Sequence, residues 1–242
     1  QVSRWDPLKD QIGLMQGFSR WLERGKENGA ELILAGPSVS GVADDPESAD
    51  TFREVFLAWC NLPHEQRSRV HLVMLPMVDV EENAAMVNAL QRHSAVLVQK
   101  SLQEGFGLTV TEAMWKGRPV IASKVGGIQD QITHGENGLL LDDPTDPEAF
   151  ATALDQLFDD PDRAKNIGDS AQETVRARYL DAPGTRAISR AAFSGPSISS
   201  KCRVSNRGRC PGRSRAISAS GSIFALLSAP IRLSARSSCS DR

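Results

Sequence analysis

Glu104 and Glu112 stand on either side of a glycine-rich run, Gly105-Phe106-Gly107-Leu108-Thr109, which leads into a helix-forming stretch. A carboxylate accepts two hydrogen bonds from a vicinal diol, so both acids suit sugar hydroxyls. Glycine ahead of a helix lets the backbone approach a ligand and adopt positive φ. The helix start offers unpaired N–H groups with partial positive charge, which suits phosphate. A second run, residues 4–9, places Arg4 and Lys9 around another helix start. If both runs border one cleft, a diphosphate meets two cations and two helix ends, at about 1.5–3 kcal/mol per charge-assisted hydrogen bond. Each residue also has a plainer reading. Lys9 reads as a solvated lysine, Arg4 as the partner of a carboxylate, and Glu104 as an exposed loop acid. Thr109-Val110-Thr111-Glu112 reads as a capping box, and on spacing alone the cap is favoured for Glu112.

These residues need a scaffold that brings loops to one edge. Short apolar runs alternate with amphipathic stretches over residues 1–180. Val2-Ser3-Arg4-Trp5 ends a strand, and Asp6-Pro7 supplies an N-cap and first-turn proline for a helix reaching about Lys26. Strands are expected over 31–35, 70–75, 95–99 and 119–123, with helices near 48–61, 82–93 and 108–116. Asp146-Pro147 and Asp160-Pro161 repeat the cap-plus-proline signal and open two closing helices. The alternation predicts an α/β fold, a Rossmann-like parallel sheet with helices on both faces. Such sheets bind ligands beyond the carboxyl ends of their strands, here the loops 4–9, 37–41, 99–109 and 123–127.

Composition divides the chain in two. Residues 1–180 carry 17 Lys and Arg against 28 Asp and Glu, a net of −11. Residues 181–242 carry 11 against 2, a net of +9, with 15 serines and no Glu, Trp or Tyr. The second stretch lacks a sustained apolar period and reads as a disordered Ser/Arg-rich tail. A basic nucleic-acid arm is one use for it; loss of the reading frame near Leu180 is the favoured explanation. With Gln1 opening directly on a strand, the expectation is a piece of a longer protein. No run reaches the roughly 18 apolar residues a membrane helix needs. Cys60 stands apart from Cys202, Cys210 and Cys239, and no C-x-x-C pair suggests zinc or a disulfide framework, so a cytoplasmic setting is expected. His64-Glu65 is followed by His71, seven residues on, too far to share a zinc-binding helix face.

The run from Glu104 through Glu112-Ala113-Met114-Trp115-Lys116-Gly117-Arg118-Pro119-Val120-Ile121-Ala122, with Gly126-Gly127, resembles the donor domain of retaining GT-B glycosyltransferases of the family 4 type. The two glutamates match that superfamily's paired-glutamate motif, and Val2-Ser3-Arg4 with Lys9 matches its phosphate-binding pair. Val98-Gln99-Lys100-Ser101 and Met114-Trp115-Lys116-Gly117-Arg118 look most like nucleotide-sugar-dependent trehalose synthases and the related trehalose phosphorylases. The resemblance covers residues 1–180 and implies the C-terminal half of a GT-B fold. It implies that Glu112 binds the ribose and that Glu104 contacts the donor glucose beside the amides of Gly105, Phe106, Gly107, Leu108 and Thr109. Arg4 and Lys9 then hold the diphosphate, and Gly126-Gly127 walls the site, unless it is an ordinary turn. Implied partners are an NDP-glucose donor, a sugar acceptor (glucose, giving trehalose) and the missing amino-terminal GT-B domain; the oligomeric state, a homodimer among the options, stays open. No metal or other cofactor, membrane or nucleic acid is implied. The alternatives are a trehalose phosphorylase, or an inactive truncated fragment that only binds nucleotide sugar.

Overall fold

A computed structural model describes residues 1–25, 29–39 and 46–180. The tail expected over 181–242, the helix end near Lys26 and the far part of loop 37–41 lie outside the described residues. The described chain runs α1 (Gln11–Glu23), β1 (Leu32–Pro37), α2 (Pro46–Cys60), α3 (His64–Arg67), β2 (Val70–Leu75), α4 (Val80–His93) and β3 (Leu97–Gln99). It continues with α5 (Leu108–Trp115), β4 (Val120–Ser123), α6 (Ile128–Gln131), β5 (Leu139–Leu141), α7 (Pro147–Phe158) and α8 (Pro161–Val175). A π-helical turn follows over Arg176–Leu180.

All strand pairs are parallel: β1 with β2, and β3 with β4 with β5. Between these groups lies the chain's first segment. Val2 bridges Ala35 of β1 in parallel, while on the other side the Lys100 N–H, just past β3, donates to the Gln1 side-chain oxygen at 3.0 Å. Across the molecule the order is therefore β2, β1, residues 1–3, β3, β4, β5. This is the doubly wound Rossmann order, with its switch point between residues 1–3 and β3. The crevice outside the carboxyl ends at that point is delimited by the two loops already singled out, those that follow Ser3 and Gln99.

The core explains why the scaffold is firm there. Leu34, Val98, Ile121 and Leu139, from β1, β3, β4 and β5, are buried on one face against α1 and α7. Trp21 of α1 is fully buried on Phe158, ring centroids 5.0 Å apart, and its indole N–H donates to Asp155 at 2.8 Å. On the other face Val110, Met114, Ala122, Ile128 and Ala171 form a second cluster. Asp146 and Asp160 cap α7 and α8 by accepting the Glu148 and Arg163 N–H groups, as their cap-plus-proline pattern predicts.

Asp6-Pro7 behaves differently. It opens only a single 3-10 turn, Pro7–Lys9, after which Asp10, at φ 45° and ψ 49°, starts α1 anew. The single long helix expected from residue 6 is thus two elements, because a left-handed residue cannot continue a right-handed helix. β5, α3 and α6 were not anticipated. Among the described residues no helix is long and apolar enough to cross a membrane.

Gly168 joins the two ends of the second cluster. A Cβ there lies 3.0 Å from the Gly117 carbonyl carbon and closer still to its oxygen, both backbone atoms. Gly168→Ala improves helix propensity by about 0.5–1 kcal/mol yet lowers stability overall, by about 1–3 kcal/mol, because α8 must move off the turn. Urea unfolding reads the sign directly; a stabilised variant contradicts this packing.

Candidate functional site

The crevice brings together the residues that spacing alone left separate. The Lys9 ammonium lies 2.5 Å from Glu104 Oε2, with the two side chains 15% and 16% exposed. A partly buried pair of this kind has little water to screen it. Its loops are also joined through the backbone, the Leu102 N–H donating to the Leu8 carbonyl at 2.8 Å. Gln1 makes a further link, its amide donating to the Lys9 carbonyl at 2.8 Å. Arg4 is not drawn in. Its guanidinium pairs with Asp6 at 3.1 Å and its side chain is 70% exposed, the carboxylate partnership that spacing also allowed.

The glycine run lies in the loop between β3 and α5. Gly105 has open space where a Cβ would stand, so backbone is presented to whatever enters. Gly107, at φ 84°, is the N-cap of α5, and no side chain caps that helix. The first N–H groups of α5 are consequently left to solvent or ligand. Phe106 and Leu108 are exposed, and Phe106 meets Tyr179 edge-on with centroids 6.1 Å apart. Thr109 lies in the first turn of α5 and is half-buried.

Gly126 and Gly127 lie directly behind this run. The Gly127 N–H donates to the Gly105 carbonyl at 2.7 Å, and Gly126, at φ 51°, passes against the Glu104 carbonyl. Gly126-Gly127 is thus a turn that supports the glycine run. Gln131, buried in α6, completes the support. It donates to the Phe106 carbonyl and accepts from the Thr111 hydroxyl at 2.8 Å.

Glu112 does not close a capping box. With Gly107 as N-cap, Thr109 is already inside the helix and Glu112 is beyond its first turn. Instead its Oε2 accepts from the Gln91 amide of α4 at 3.1 Å, which leaves the other oxygen available. One turn further, burial pushes the Lys116 ammonium below its ordinary range; the nearby Arg92 charge adds to this and Glu112 opposes it.

Three supporting residues escaped the sequence reading. Gln91 and Gln131 look like ordinary helix residues until their burial is seen. Lys100 is the third: its side chain is 1% exposed and its ammonium is bound by Asp10. The hints are a lysine directly after a buried strand and its place in the Val98-Gln99-Lys100-Ser101 run that carries the family resemblance. Among the described residues no three His, Cys, Asp or Glu side chains gather as a metal site. The chemistry on hand is a cation, two carboxylates with free acceptor sites, and an uncapped helix start behind two glycines.

Comparison with known proteins identifies the family. The family model for glycosyl transferases group 1 matches residues 1–174. The trehalose synthase of Rubrobacter xylanophilus is 40% identical over 180 residues, 74% of this chain and 39% of that protein. The trehalose phosphorylase of Pleurotus pulmonarius is 29% identical over 184 residues, 72% of this chain and 24% of that protein. Among solved structures, Anabaena HepE in complex with UDP-glucose superposes with a TM-score of 0.58 at 24% identity, over 73% of this chain and 43% of that one. The chain thus spans about two fifths of the trehalose synthase it matches. With the group 1 model covering both crevice loops and every strand, the chain belongs to the group 1 glycosyl transferases.

Proposed function

We propose that the crevice binds a nucleotide-activated glucose, and that the complete protein transfers its glucosyl group, with retention, to a sugar acceptor, glucose being the one that yields trehalose. The observation that carries this reading is the Lys9–Glu104 pair at the uncapped start of α5: a phosphate-binding cation and a hydroxyl-binding carboxylate 2.5 Å apart. A sugar diphosphate has those two chemistries adjacent, at its phosphates and its ring hydroxyls.

In this reading Lys9 and the α5 amides take the diphosphate, Glu104 takes sugar hydroxyls, and Glu112 accepts from the ribose while Gln91 holds its second oxygen. Arg4 joins the phosphates by leaving Asp6, an exposed pair worth about 0–1 kcal/mol and therefore cheaply broken. The bond between the anomeric carbon and the phosphate oxygen breaks with its electron pair going to the phosphate. The acceptor hydroxyl forms the new bond and passes its proton to the departing phosphate oxygen. As negative charge grows on the leaving diphosphate, Lys9 and the helix start stabilise it, the service a divalent metal performs elsewhere. HepE's complex with UDP-glucose and the 40% identity to a trehalose synthase support donor and product class.

Supplying the complete protein with UDP-, ADP- or GDP-glucose plus glucose should release nucleoside diphosphate and trehalose in equal amounts. The similarity to a trehalose phosphorylase makes phosphorolysis the rival. Trehalose consumption with inorganic phosphate, and none with nucleoside diphosphate, would establish the rival instead. Within the leading reading, Glu112→Ala weakens nucleoside diphosphate binding about ten- to a hundredfold, the loss of one charged hydrogen bond. Titration calorimetry beside a thermal melt separates this from a structural role, which lowers the melting temperature and leaves affinity alone.

A further inference from the structure

We infer that the buried Lys100–Asp10 ion pair is the positioning element of this site, clamping the two loops so that Lys9 stays in register with Glu104. The catalytic meaning of the clamp rests on the function proposed above; the clamping itself does not. Lys100 is almost wholly buried, and its ammonium is bound by the Asp10 carboxylate. Stability is a poor account of such a pair, since replacing a buried ion pair by neutral groups is often neutral or stabilising. Its placement is more telling. Asp10 directly follows Lys9, and Lys100 begins the loop that holds Glu104. Drawing Asp10 and Lys100 together therefore fixes the root of both members of the site pair.

Two local features are built around the clamp. Asp10 is the one non-glycine residue with positive φ among the described residues, at 45°, a backbone state unfavourable for an L-residue. Held there, it uses one carboxylate oxygen to accept the Gly13 N–H at 3.0 Å and the other for Lys100. Gly13 is the second feature. Glycine inside a helix is unfavourable, yet a Cβ at this position comes within 2.6 Å of both Asp10 Oδ1 and the Lys100 ammonium. The helix thus carries a gap the size of the ion pair. Gln1 ties the same two loops by their backbones, donating to the Lys9 carbonyl and accepting from the Lys100 N–H.

The test uses the ligand-free 242-residue chain and two variants. Asp10→Asn with Lys100→Met removes both charges at once and leaves no buried charge unpaired; asparagine keeps the acceptor for Gly13 and tolerates positive φ. Gly13→Ala keeps both charges and crowds them, serving if the double variant fails to fold. The readout is proton exchange at the Lys9 ammonium by 1H–15N NMR, assigned with Lys9→Met. In the parent chain exchange is slowed, and Glu104→Gln abolishes the slowing. Both clamp variants are expected to abolish it too while keeping cooperative unfolding, and to weaken UDP binding about tenfold. An ammonium signal unchanged in both variants, or one not slowed in the parent, overturns the clamp. Failure of the parent to bind any of UDP, ADP and GDP instead counts against the donor reading, and the ammonium still decides the positioning.

Discussion

Lys9→Met in the complete protein is expected to lower kcat about a hundred- to a thousandfold, the scale found when one preorganised electrostatic group is removed from a site of developing charge. Donor affinity should fall by a much smaller factor, about tenfold or less, because the bound diphosphate still has the α5 amides and Arg4. The asymmetry follows from when the charge appears. The ground-state diphosphate is already ionised and shares its charge with the nucleotide side, whereas bond cleavage adds negative charge at the phosphate nearest the sugar. Methionine retains most of the aliphatic stem of a side chain only 15% exposed, so packing is nearly conserved. What is lost is the charge, and with it the partner of Glu104. Lys9→Met with Glu104→Gln controls for that orphaned carboxylate: if the double variant recovers melting temperature but not kcat, the defect is chemical. A rise in KM at constant kcat would mean that Lys9 binds ground and transition states equally, and its proposed role would fall.

Which parts of this site were legible in the sequence depends on how far each residue's partner lies along the chain. Asp146-Pro147 and Asp160-Pro161 act on amides two or three residues away, and both helices begin where that local chemistry puts them. Asp6-Pro7 has the same local chemistry and does start a turn, but Asp10 ends it. Its left-handed backbone is coupled to Lys100, 90 residues further on, which no local pattern announces. β5 is three residues long, too short to show any period, and is a strand because β4 offers it a ladder. The glycine run was legible because open backbone at Gly105 and positive φ at Gly107 are needs that only glycine meets cheaply. The contacts of Glu104 and Glu112 were legible only in part. Both carry acceptors suited to hydroxyls, yet Lys9 lies 95 residues from Glu104 and Gln91 lies 21 from Glu112. The capping box failed for a related reason: Gly107, packed on Ile128 of α6, fixes where α5 begins, so the local Thr-x-x-Glu pattern never reaches the cap.

Gly126→Ala should damage fold and site together, at about 3 kcal/mol of stability. Two independent costs combine. At φ 51° an alanine occupies a left-handed state that costs about 1–2 kcal/mol. Its Cβ would also lie 2.8 Å from the Glu104 carbonyl carbon, nearer to that carbonyl's oxygen, and 3.1 Å from the Gly105 oxygen. These are backbone atoms and cannot rotate away as a side chain would, so the turn and the glycine run must separate. Separation stretches the Gly127 to Gly105 hydrogen bond and tilts Glu104 away from Lys9, so nucleoside diphosphate binding falls with stability. Gly105→Ala supplies the contrast. Nothing lies within 4 Å of its Cβ, so stability should change by no more than about 0.5 kcal/mol. In the proposed donor site the new methyl nevertheless stands where the diphosphate would approach the backbone, and donor affinity should drop without a change in melting temperature. If both alanines lower stability and neither alters donor affinity beyond that loss, the run between the two glutamates is a structural turn and the donor lies elsewhere.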